Sequence, residues 1–187
     1  MVKLLGISGS LRRASYNSAL LRAATRLMPP GAELAVASIR DIPLYDGDTE
    51  AQGIPAAVAQ LKEAVAAAAG VLLVTPEYNN SIPGVFKNAI DWLSRPSADI
   101  KRVFTGRPFA VIGASPGGFG TSLSQAAWLP VLRTLGVQFW SGGRLQVSRA
   151  GSVFDQAGNL EDSSVQEQLR QFLAGYVTFV QRFGASS

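Results

Sequence analysis

The fold of this chain is constrained most by three short apolar runs. Each run is followed by a turn rich in Ser, Pro, Gly or Asn. They cover Val2 to Ile7, Val71 to Val74 and Phe109 to Ile112. Such runs, which lack regular polar alternation, are typical of strands buried on both faces of a sheet. Two further strands are predicted over Glu33 to Ser38 and Val137 to Trp140. We therefore expect five strands in a parallel sheet.

Segments with helical spacing of apolar residues lie between and after these runs. Apolar side chains recur at three- and four-residue steps in Leu20 to Leu27 and in Val58 to Ala68. A continuous stripe from Val165 to Phe183 predicts a long last helix with an aromatic core face. Ser122 to Leu135 is also periodic, and Pro130 should kink that helix or end its first half. The alternation predicts an α/β fold with helices on both faces of the sheet.

Length and composition favour one globular domain spanning residues 1–187. The chain has 187 residues, of which 47% are hydrophobic, enough for one core and short for two. No apolar stretch reaches the ~20 residues that span a bilayer, and the N-terminus lacks the pattern of a secretory signal. We expect a cytoplasmic protein with no membrane partner.

The chain contains no cysteine and no histidine. This excludes disulfides, thiolate nucleophiles, imidazole acid/base chemistry and most transition-metal sites. We therefore expect no metal and no catalytic side chain. The net charge of +4 can attract anions. Arg12 and Arg13 lie in a glycine- and serine-rich loop, which favours a small phosphate over nucleic acid as the partner.

The turn after the first run, here called the first loop (Gly6 to Ser18), has the composition of a phosphate site. Glycine allows close approach, hydroxyls and Asn17 offer hydrogen bonds, Arg12 supplies charge, and the next helix begins there. The alternative is a serine-rich turn in which Ser15 or Asn17 only caps the helix. The loop lacks both the dinucleotide fingerprint and the triphosphate P-loop ending. A monophosphate is the predicted ligand.

The second loop (Thr75 to Gly84) is stiffened by two prolines around polar groups. A rigid loop can present backbone N–H and C=O groups to a planar heterocycle, although a purely structural turn is equally consistent with the sequence. Glu77 is a candidate acid or base, but a lone loop carboxylate more often serves as a hydrogen-bond acceptor or surface charge.

The third loop (Ala114 to Ser122) contains three glycines, which permit close approach of a ligand or unusual dihedral angles. A mobile turn without a ligand is the alternative. In open parallel sheets, ligands bind at the carboxyl ends of the strands. The three loops are therefore expected to form one site.

The first two loops together resemble the NADPH-dependent FMN reductase family, whose relatives include quinone and chromate reductases and azoreductase-like enzymes. The likeness runs from the first strand through the third loop and implies a flavodoxin-like, doubly wound, five-stranded parallel sheet with strand order 2-1-3-4-5. It is carried by Gly9-Ser10-Leu11-Arg12 with Ser15 and Asn17, and by Thr75-Pro76-Glu77-Tyr78-Asn79 with Pro83-Gly84 and Lys87-Asn88-Ala89-Ile90-Asp91-Trp92.

The resemblance implies FMN as the cofactor and places its site in the three loops. Residues of the first loop would hold the phosphate, those of the second would border the isoalloxazine, and those of the third would lie beside the ribityl chain or ring. The implied set is Ser10, Leu11, Arg12, Ser15, Tyr16, Asn17, Pro76, Glu77, Tyr78, Asn79, Asn80, Ser115, Gly117 and Gly118. Relatives often have tyrosine at the position of Asn80.

The implied activity is hydride transfer from NADPH or NADH to bound flavin and then to quinone, flavin, azo or similar acceptors. The cofactor carries the chemistry while the protein supplies position and electrostatics. Arg12, Arg13 and Arg149 are conceivable partners for the 2′-phosphate of NADPH. The resemblance also implies a homodimer or homotetramer, with the predicted helix Val85 to Leu93 either at the interface or in the core.

Two other functions are compatible with the same scaffold. A flavodoxin-type electron carrier binds FMN without turning over a substrate of its own, but such carriers are usually acidic whereas this chain is basic. A non-redox phosphate-ester domain needs a nucleophile or metal site, and the sequence offers no convincing carboxylate cluster.

Overall fold

The computed structural model describes residues 1–184. Its strands are β1 (Val2–Ser8), β2 (Ala32–Ala37), β3 (Gly70–Val74), β4 (Pro108–Ala114), β5 (Gln138–Phe139) and β6 (Gln146–Val147). Its α-helices are α1 (Tyr16–Arg26), α2 (Gly47–Gln52), α3 (Ala56–Ala67), α4 (Gly84–Leu93), α5 (Ile100–Val103), α6 (Ser122–Thr134) and α7 (Ser163–Gly184). No helix within residues 1–184 combines the length and apolarity needed to cross a membrane.

The strands form one parallel sheet in the order β2-β1-β3-β4-β5, which confirms the predicted doubly wound topology. The sequence did not predict the short strand β6, which pairs with the carboxyl end of β4 while β5 pairs with its amino end. Both β5 and β6 contain only two residues, too few for a periodic signal. The sheet therefore has six strands rather than the expected five.

Helices cover both faces of the sheet, and the uninterrupted apolar strands supply both cores. In β3, Leu72 and Val74 pack with α1 and α7, whereas Val71 and Leu73 pack with α3, α4 and α6. Because successive side chains of a strand point to opposite faces, a strand covered on both sides must be apolar at every position. All five residues of β3 are buried.

The last helix follows the predicted stripe along its buried face. Leu169, Phe172 and Leu173 are buried, and so is Tyr176. The Tyr176 hydroxyl lies 2.8 Å from the Val71 carbonyl and 3.0 Å from the Pro108 carbonyl, to which it can donate. Phe172 and Tyr176 are thus core residues, as predicted. Phe179 and Phe183, farther along α7, are only partly buried.

Helix α6 continues through Pro130, so of the two predicted effects the proline does not end the helix, and the predicted kink stays a prediction. Proline removes one helical hydrogen bond and strains the preceding turn, at a cost of about 3 kcal/mol. Trp128 and Leu132, on either side of Pro130, are fully buried in the core. Their burial offsets that cost, because each large apolar side chain contributes about 1.5–3 kcal/mol.

A buried lysine fixes the segment between α4 and α5. The ammonium group of Lys62 on α3 donates to the Asp99 carboxylate at 2.8 Å and to the Arg95 carbonyl. The Lys62 side chain is only 3% exposed. Its hydrogen bond lowers the pKa of Asp99 below the ordinary value.

We expect this pair to make stability depend on pH in the acid range. Because the pKa of Asp99 is lower in the folded state, its stabilising effect is present above the unfolded pKa of about 4 and is lost as the pH falls further. Asp99→Asn should lower the free energy of unfolding at pH 7 by about 1–3 kcal/mol and reduce the difference between pH 7 and pH 3. Urea unfolding at both values measures this. An unchanged difference would contradict the assignment.

Candidate functional site

The carboxyl ends of β1, β3 and β4 bring the three predicted loops to one edge of the sheet. Gly9 N–H donates to the Val74 carbonyl at 2.9 Å, and Thr75 N–H donates to the Ile112 carbonyl at 2.8 Å. Because these bonds align the ends of neighbouring strands, each loop begins at the same level. This is the edge at which open parallel sheets bind ligands.

Residues of the three loops line one cavity of about 220 Å³, here called the central cavity. Its lining includes nine of the predicted site residues together with Ala114 and Pro116: Ser10, Arg12, Ser15, Tyr16, Asn17, Pro76, Glu77, Tyr78 and Ser115. Leu11 lines a neighbouring groove instead. Asn79, Asn80, Gly117 and Gly118 do not line the central cavity.

The first loop ends in a capped helix that leaves donors free for an anion. Ser15 is the N-cap of α1, and its hydroxyl oxygen accepts from Ser18 N–H at 3.2 Å. Within residues 1–184, the N–H groups of Tyr16 and Asn17 have no hydrogen-bond partner, as is usual in the first turn of a helix. Free N–H groups at the positive end of a helix suit a phosphate. Of the two capping candidates, Ser15 is the cap.

Arg12 is folded back over its own loop. Its guanidinium donates to the Ala14 carbonyl at 2.8 and 3.1 Å and lies 5.9 Å from the centre of the Tyr16 ring. Arg12 N–H is 3.3 Å from the Ser10 hydroxyl oxygen. The guanidinium is exposed and has no carboxylate partner within residues 1–184. It can therefore pair with a phosphate.

Asn17 has a different role from a simple ligand-facing amide. Its Nδ2 donates to the Ala114 carbonyl at 2.8 Å, and its Oδ1 accepts from Ala114 N–H at 2.9 Å. Asn17 is 4% exposed. Both ends of the amide therefore join α1 to the end of β4, which leaves the backbone N–H and the second Nδ2 hydrogen of Asn17 as donors for a ligand.

The second loop contains a tight hairpin. Tyr78 and Ser81 exchange two backbone hydrogen bonds of 3.1 Å. Between them, Asn79 and Asn80 have φ values of +49° and +61°. Positive φ at both central positions is characteristic of a type I′ turn, in which asparagine is favoured. The hairpin explains the Asn-Asn pair locally and leaves Tyr78 half-exposed beside the central cavity.

Glu77 joins the second loop to helix α6. Its Oε2 accepts from Leu123 N–H at 2.9 Å and from Ser124 N–H at 3.0 Å. Thr121, the N-cap residue of α6, makes no capping bond with its own side chain. A carboxylate at this place satisfies two first-turn donors and complements the helix dipole. The sequence left open whether Glu77 is an acid or base, a hydrogen-bond acceptor or a surface charge. In the structure it is a hydrogen-bond acceptor.

We expect Glu77→Ala to lower the free energy of unfolding by about 1–2 kcal/mol, because α6 loses its cap. Glu77→Gln keeps an acceptor oxygen and should cost less. Thermal unfolding measures both. Glu63→Ala is the matched control, because Glu63 forms an exposed ion pair with Arg102 and such pairs contribute less than about 1 kcal/mol. Equal stability of Glu77→Ala and the wild type would remove the capping role.

The third loop is tied to the segment after β6. Ser115 N–H donates to the Val147 carbonyl at 2.9 Å, and Arg149 N–H donates to the Gly117 carbonyl at 2.9 Å. Of its three glycines, only Gly120 has positive φ (+56°), and a Cβ there would lie 2.6 Å from the Gln146 backbone. Gly117 and Gly118 have open space around them. The hydrogen bonds give this loop a defined position, and its first residues, Ala114, Ser115 and Pro116, border the central cavity.

Gly9 is the first residue after β1, and the structure shows why a glycine is required there. A Cβ at Gly9 would lie 2.1 Å from the Phe86 ring, which is fully buried in α4. The loop therefore approaches a core side chain closely at this position. The signal in the sequence was only the Gly9-Ser10 pair, and Phe86 was not among the predicted site residues.

Comparison with known proteins decides the family. The family model described as NADPH-dependent FMN reductase matches residues 2–152. The chain belongs to the NADPH-dependent FMN reductase family. The match includes all three loops and the strands that hold them.

Individual relatives are similar to this chain over nearly its whole length. An NAD(P)H-dependent FMN reductase from Pseudomonas aeruginosa is 44% identical, with 97% of this chain and 96% of the relative covered. A 2-hydroxy-1,4-benzoquinone reductase from a Burkholderia species is 35% identical, with 96% of each covered. The solved structure of the NAD(P)H:(acceptor) oxidoreductase of Paracoccus denitrificans is 32% identical, has a TM-score of 0.87 and covers 98% of this chain and 99% of that one.

These findings confirm the expected family, the flavodoxin-like fold and the oxidoreductase class. FMN as cofactor and NAD(P)H as hydride donor follow from membership in the family. The 14% identical FMN-dependent NADH-azoreductase of Bacillus anthracis, with a TM-score of 0.58, supports the fold alone.

Proposed function

We propose that this protein takes hydride from NAD(P)H and reduces quinone-type acceptors at FMN held in the central cavity. The observation that carries the proposal is the meeting of the three loops around one solvent-accessible cavity. Relatives between 35% and 44% identical are named FMN reductase and quinone reductases. We further propose that residues 1–187 form one FMN-binding domain that works in the cytoplasm.

The protein's own contribution is to bind and to orient. When bound, FMN supplies the two-electron chemistry. Ser10, Arg12 and Ser15, with the free N–H groups of the first turn of α1, hold its phosphate. The hairpin at Tyr78 and the Ser115 end of the third loop flank its ring and ribityl chain.

No side chain is proposed to react. One oxygen of the Glu77 carboxylate, Oε2, accepts two N–H donors of α6, which assigns this group to capping rather than to reaction. The chain has no histidine or cysteine to move a proton or form an adduct. Acceptors are selected by access to the cavity rather than by a reactive residue.

Anaerobic stopped-flow spectroscopy tests the proposal. We expect excess NADPH or NADH to bleach the visible absorbance of the FMN-loaded protein, and added benzoquinone to restore it. If the flavin stays oxidised after addition of either nucleotide, the alternative function of an electron carrier without substrate turnover is favoured instead. Bleaching without recovery in benzoquinone would remove quinones as the acceptor class.

We also propose that the protein is a homodimer or homotetramer whose interface is formed by α6 rather than by α4. The apolar residues Phe86, Ile90 and Trp92 of α4 are buried in the core, so this helix has little apolar surface to offer a partner. Phe119, Leu123 and Leu129, in and near α6, are between 43% and 70% exposed. Light scattering of Leu123→Glu should show a smaller species than the wild type. A wild-type monomer would exclude assembly.

A further inference from the structure

A second concave surface lies beside the central cavity, at the carboxyl end of β2. This surface, here called the β2 groove, has a volume of about 430 Å³. Ser10 and Arg12 line both the groove and the central cavity. The first loop therefore lies between the two, and a ligand that extends from the central cavity across this loop would enter the groove.

The β2 groove is strongly cationic. Arg12, Arg13, Arg22 and Arg40 line it, and no Asp or Glu does. Within residues 1–184, none of these four guanidinium groups forms an ion pair. With Arg12 assigned to the FMN phosphate, Arg13, Arg22 and Arg40 remain as three uncompensated positive charges. These charges repel one another, so binding of an anion in the groove is electrostatically favourable.

The guanidinium groups make only neutral contacts. Arg40 donates to the Leu11 carbonyl at 2.6 Å, and Arg22 donates to the Gly158 carbonyl at 3.5 Å. Arg13 has no hydrogen-bond partner within the described residues, and its side chain is exposed. Each guanidinium has five N–H donors, so most of these donors are available to a ligand.

The rest of the groove suits an adenosine rather than a bare inorganic ion. Val36 is 57% exposed and lies with Leu11 and Leu21 along its wall. This apolar surface can cover one face of a flat base. The hydroxyl groups of Ser8 and Ser38 also line the groove and can bond a ribose or phosphate.

We propose that the β2 groove binds the adenosine 2′-phosphate end of NADPH, and that Arg13, Arg22 and Arg40 set the preference for NADPH over NADH. The inference rests on the proposed function and deepens it. A phosphate monoester carries about −1.5 to −2 charges at pH 7, and only NADPH has one at the 2′ position. In dinucleotide-binding sheets of related topology, an arginine near the second strand accommodates this same group.

A neighbouring cavity of about 340 Å³ is a poorer site for this phosphate. Arg13 and Arg22 line it as well, but so does Asp155. The Asp155 carboxylate accepts hydrogen bonds from Asn159, and its pKa is lowered by them, so it is charged at neutral pH. That charge repels a dianion. Arg40 lines the β2 groove and not this cavity, so Arg40 distinguishes the two.

Steady-state kinetics with both nucleotides tests the assignment. Arg13→Ala and Arg40→Gln should each lower the ratio of kcat/KM for NADPH to kcat/KM for NADH about three- to tenfold. Glutamine at position 40 retains an amide donor for the Leu11 carbonyl, which limits damage to the first loop. The same ratio should fall with rising salt in the wild type. Arg133→Ala, on the exposed surface of α6, is the matched control.

Calorimetry of the FMN-loaded protein provides a readout that needs no turnover. Adenosine 2′,5′-bisphosphate should bind about tenfold more tightly than adenosine 5′-monophosphate, and the Arg13→Ala, Arg40→Gln double variant should abolish the difference. Equal binding of the two probes by the wild type, or unchanged nucleotide ratios in the variants, overturns the proposal. If neither NADPH nor NADH reduces the flavin, the proposed function is wrong. The difference in affinity between the two probes would still show whether the β2 groove binds a 2′-phosphate.

Discussion

Replacing Asn17 with alanine is expected to lower the free energy of unfolding by about 2–4 kcal/mol. The substitution leaves both the N–H and the carbonyl of Ala114 without the amide that now bonds them. Each unsatisfied buried backbone group costs about 1–3 kcal/mol. Urea unfolding of the FMN-free protein measures the loss. Gln168→Ala is the control, because within residues 1–184 that exposed side-chain amide bonds only to the Ser164 hydroxyl. This substitution should change stability by less than about 0.5 kcal/mol.

Asn17→Asp separates the hydrogen bonds from simple packing. Aspartate keeps an acceptor for Ala114 N–H but places a carboxylate against the Ala114 carbonyl. Burial and that contact raise the folded pKa of the new carboxyl. The free energy of unfolding of Asn17→Asp is therefore highest at low pH, where the new carboxyl is protonated, and falls as the pH rises. A cost below 1 kcal/mol for alanine, or no pH dependence for aspartate, would contradict the role given to Asn17.

Arg12→Ala is expected to raise the dissociation constant for FMN about 10- to 100-fold. Charge-assisted hydrogen bonds contribute about 1.5–3 kcal/mol, and Arg12 is the arginine that lines the central cavity. Quenching of FMN fluorescence during titration with the FMN-free protein measures the affinity. Arg12→Lys keeps the charge but lacks the planar set of donors of arginine. Its dissociation constant for FMN should lie between those of the wild type and Arg12→Ala.

Riboflavin is the sharpest control for Arg12, because it shares the ring and ribityl chain of FMN but lacks the phosphate. Its affinity should change less than twofold in Arg12→Ala if the side chain acts on the phosphate. Equal losses for FMN and riboflavin would mean that the substitution disturbs the ring site as well. Unchanged FMN affinity would remove Arg12 from the phosphate site.

The sequence was sufficient to predict the centre of the sheet and the position of the loops. Apolar runs such as Val71 to Val74 indicate a strand buried on both faces, because a strand exposed on one face would alternate polar and apolar residues. The turn residues after each run show where the strand ends. Since parallel strands direct their carboxyl ends to one edge, the position of the site followed from these two local signals.

The tertiary structure alone decided which groups the polar side chains contact. Asn17 bonds Ala114 across 97 residues, and Glu77 bonds the start of α6 across 46 and 47 residues. An amide or carboxylate has the same local appearance whether it faces a ligand or a backbone group. The two-residue strand β6 and the continuation of α6 through Pro130 also depend on distant packing. Local patterns record burial and turns, whereas the pairing of polar groups is set by contacts between segments far apart in the chain.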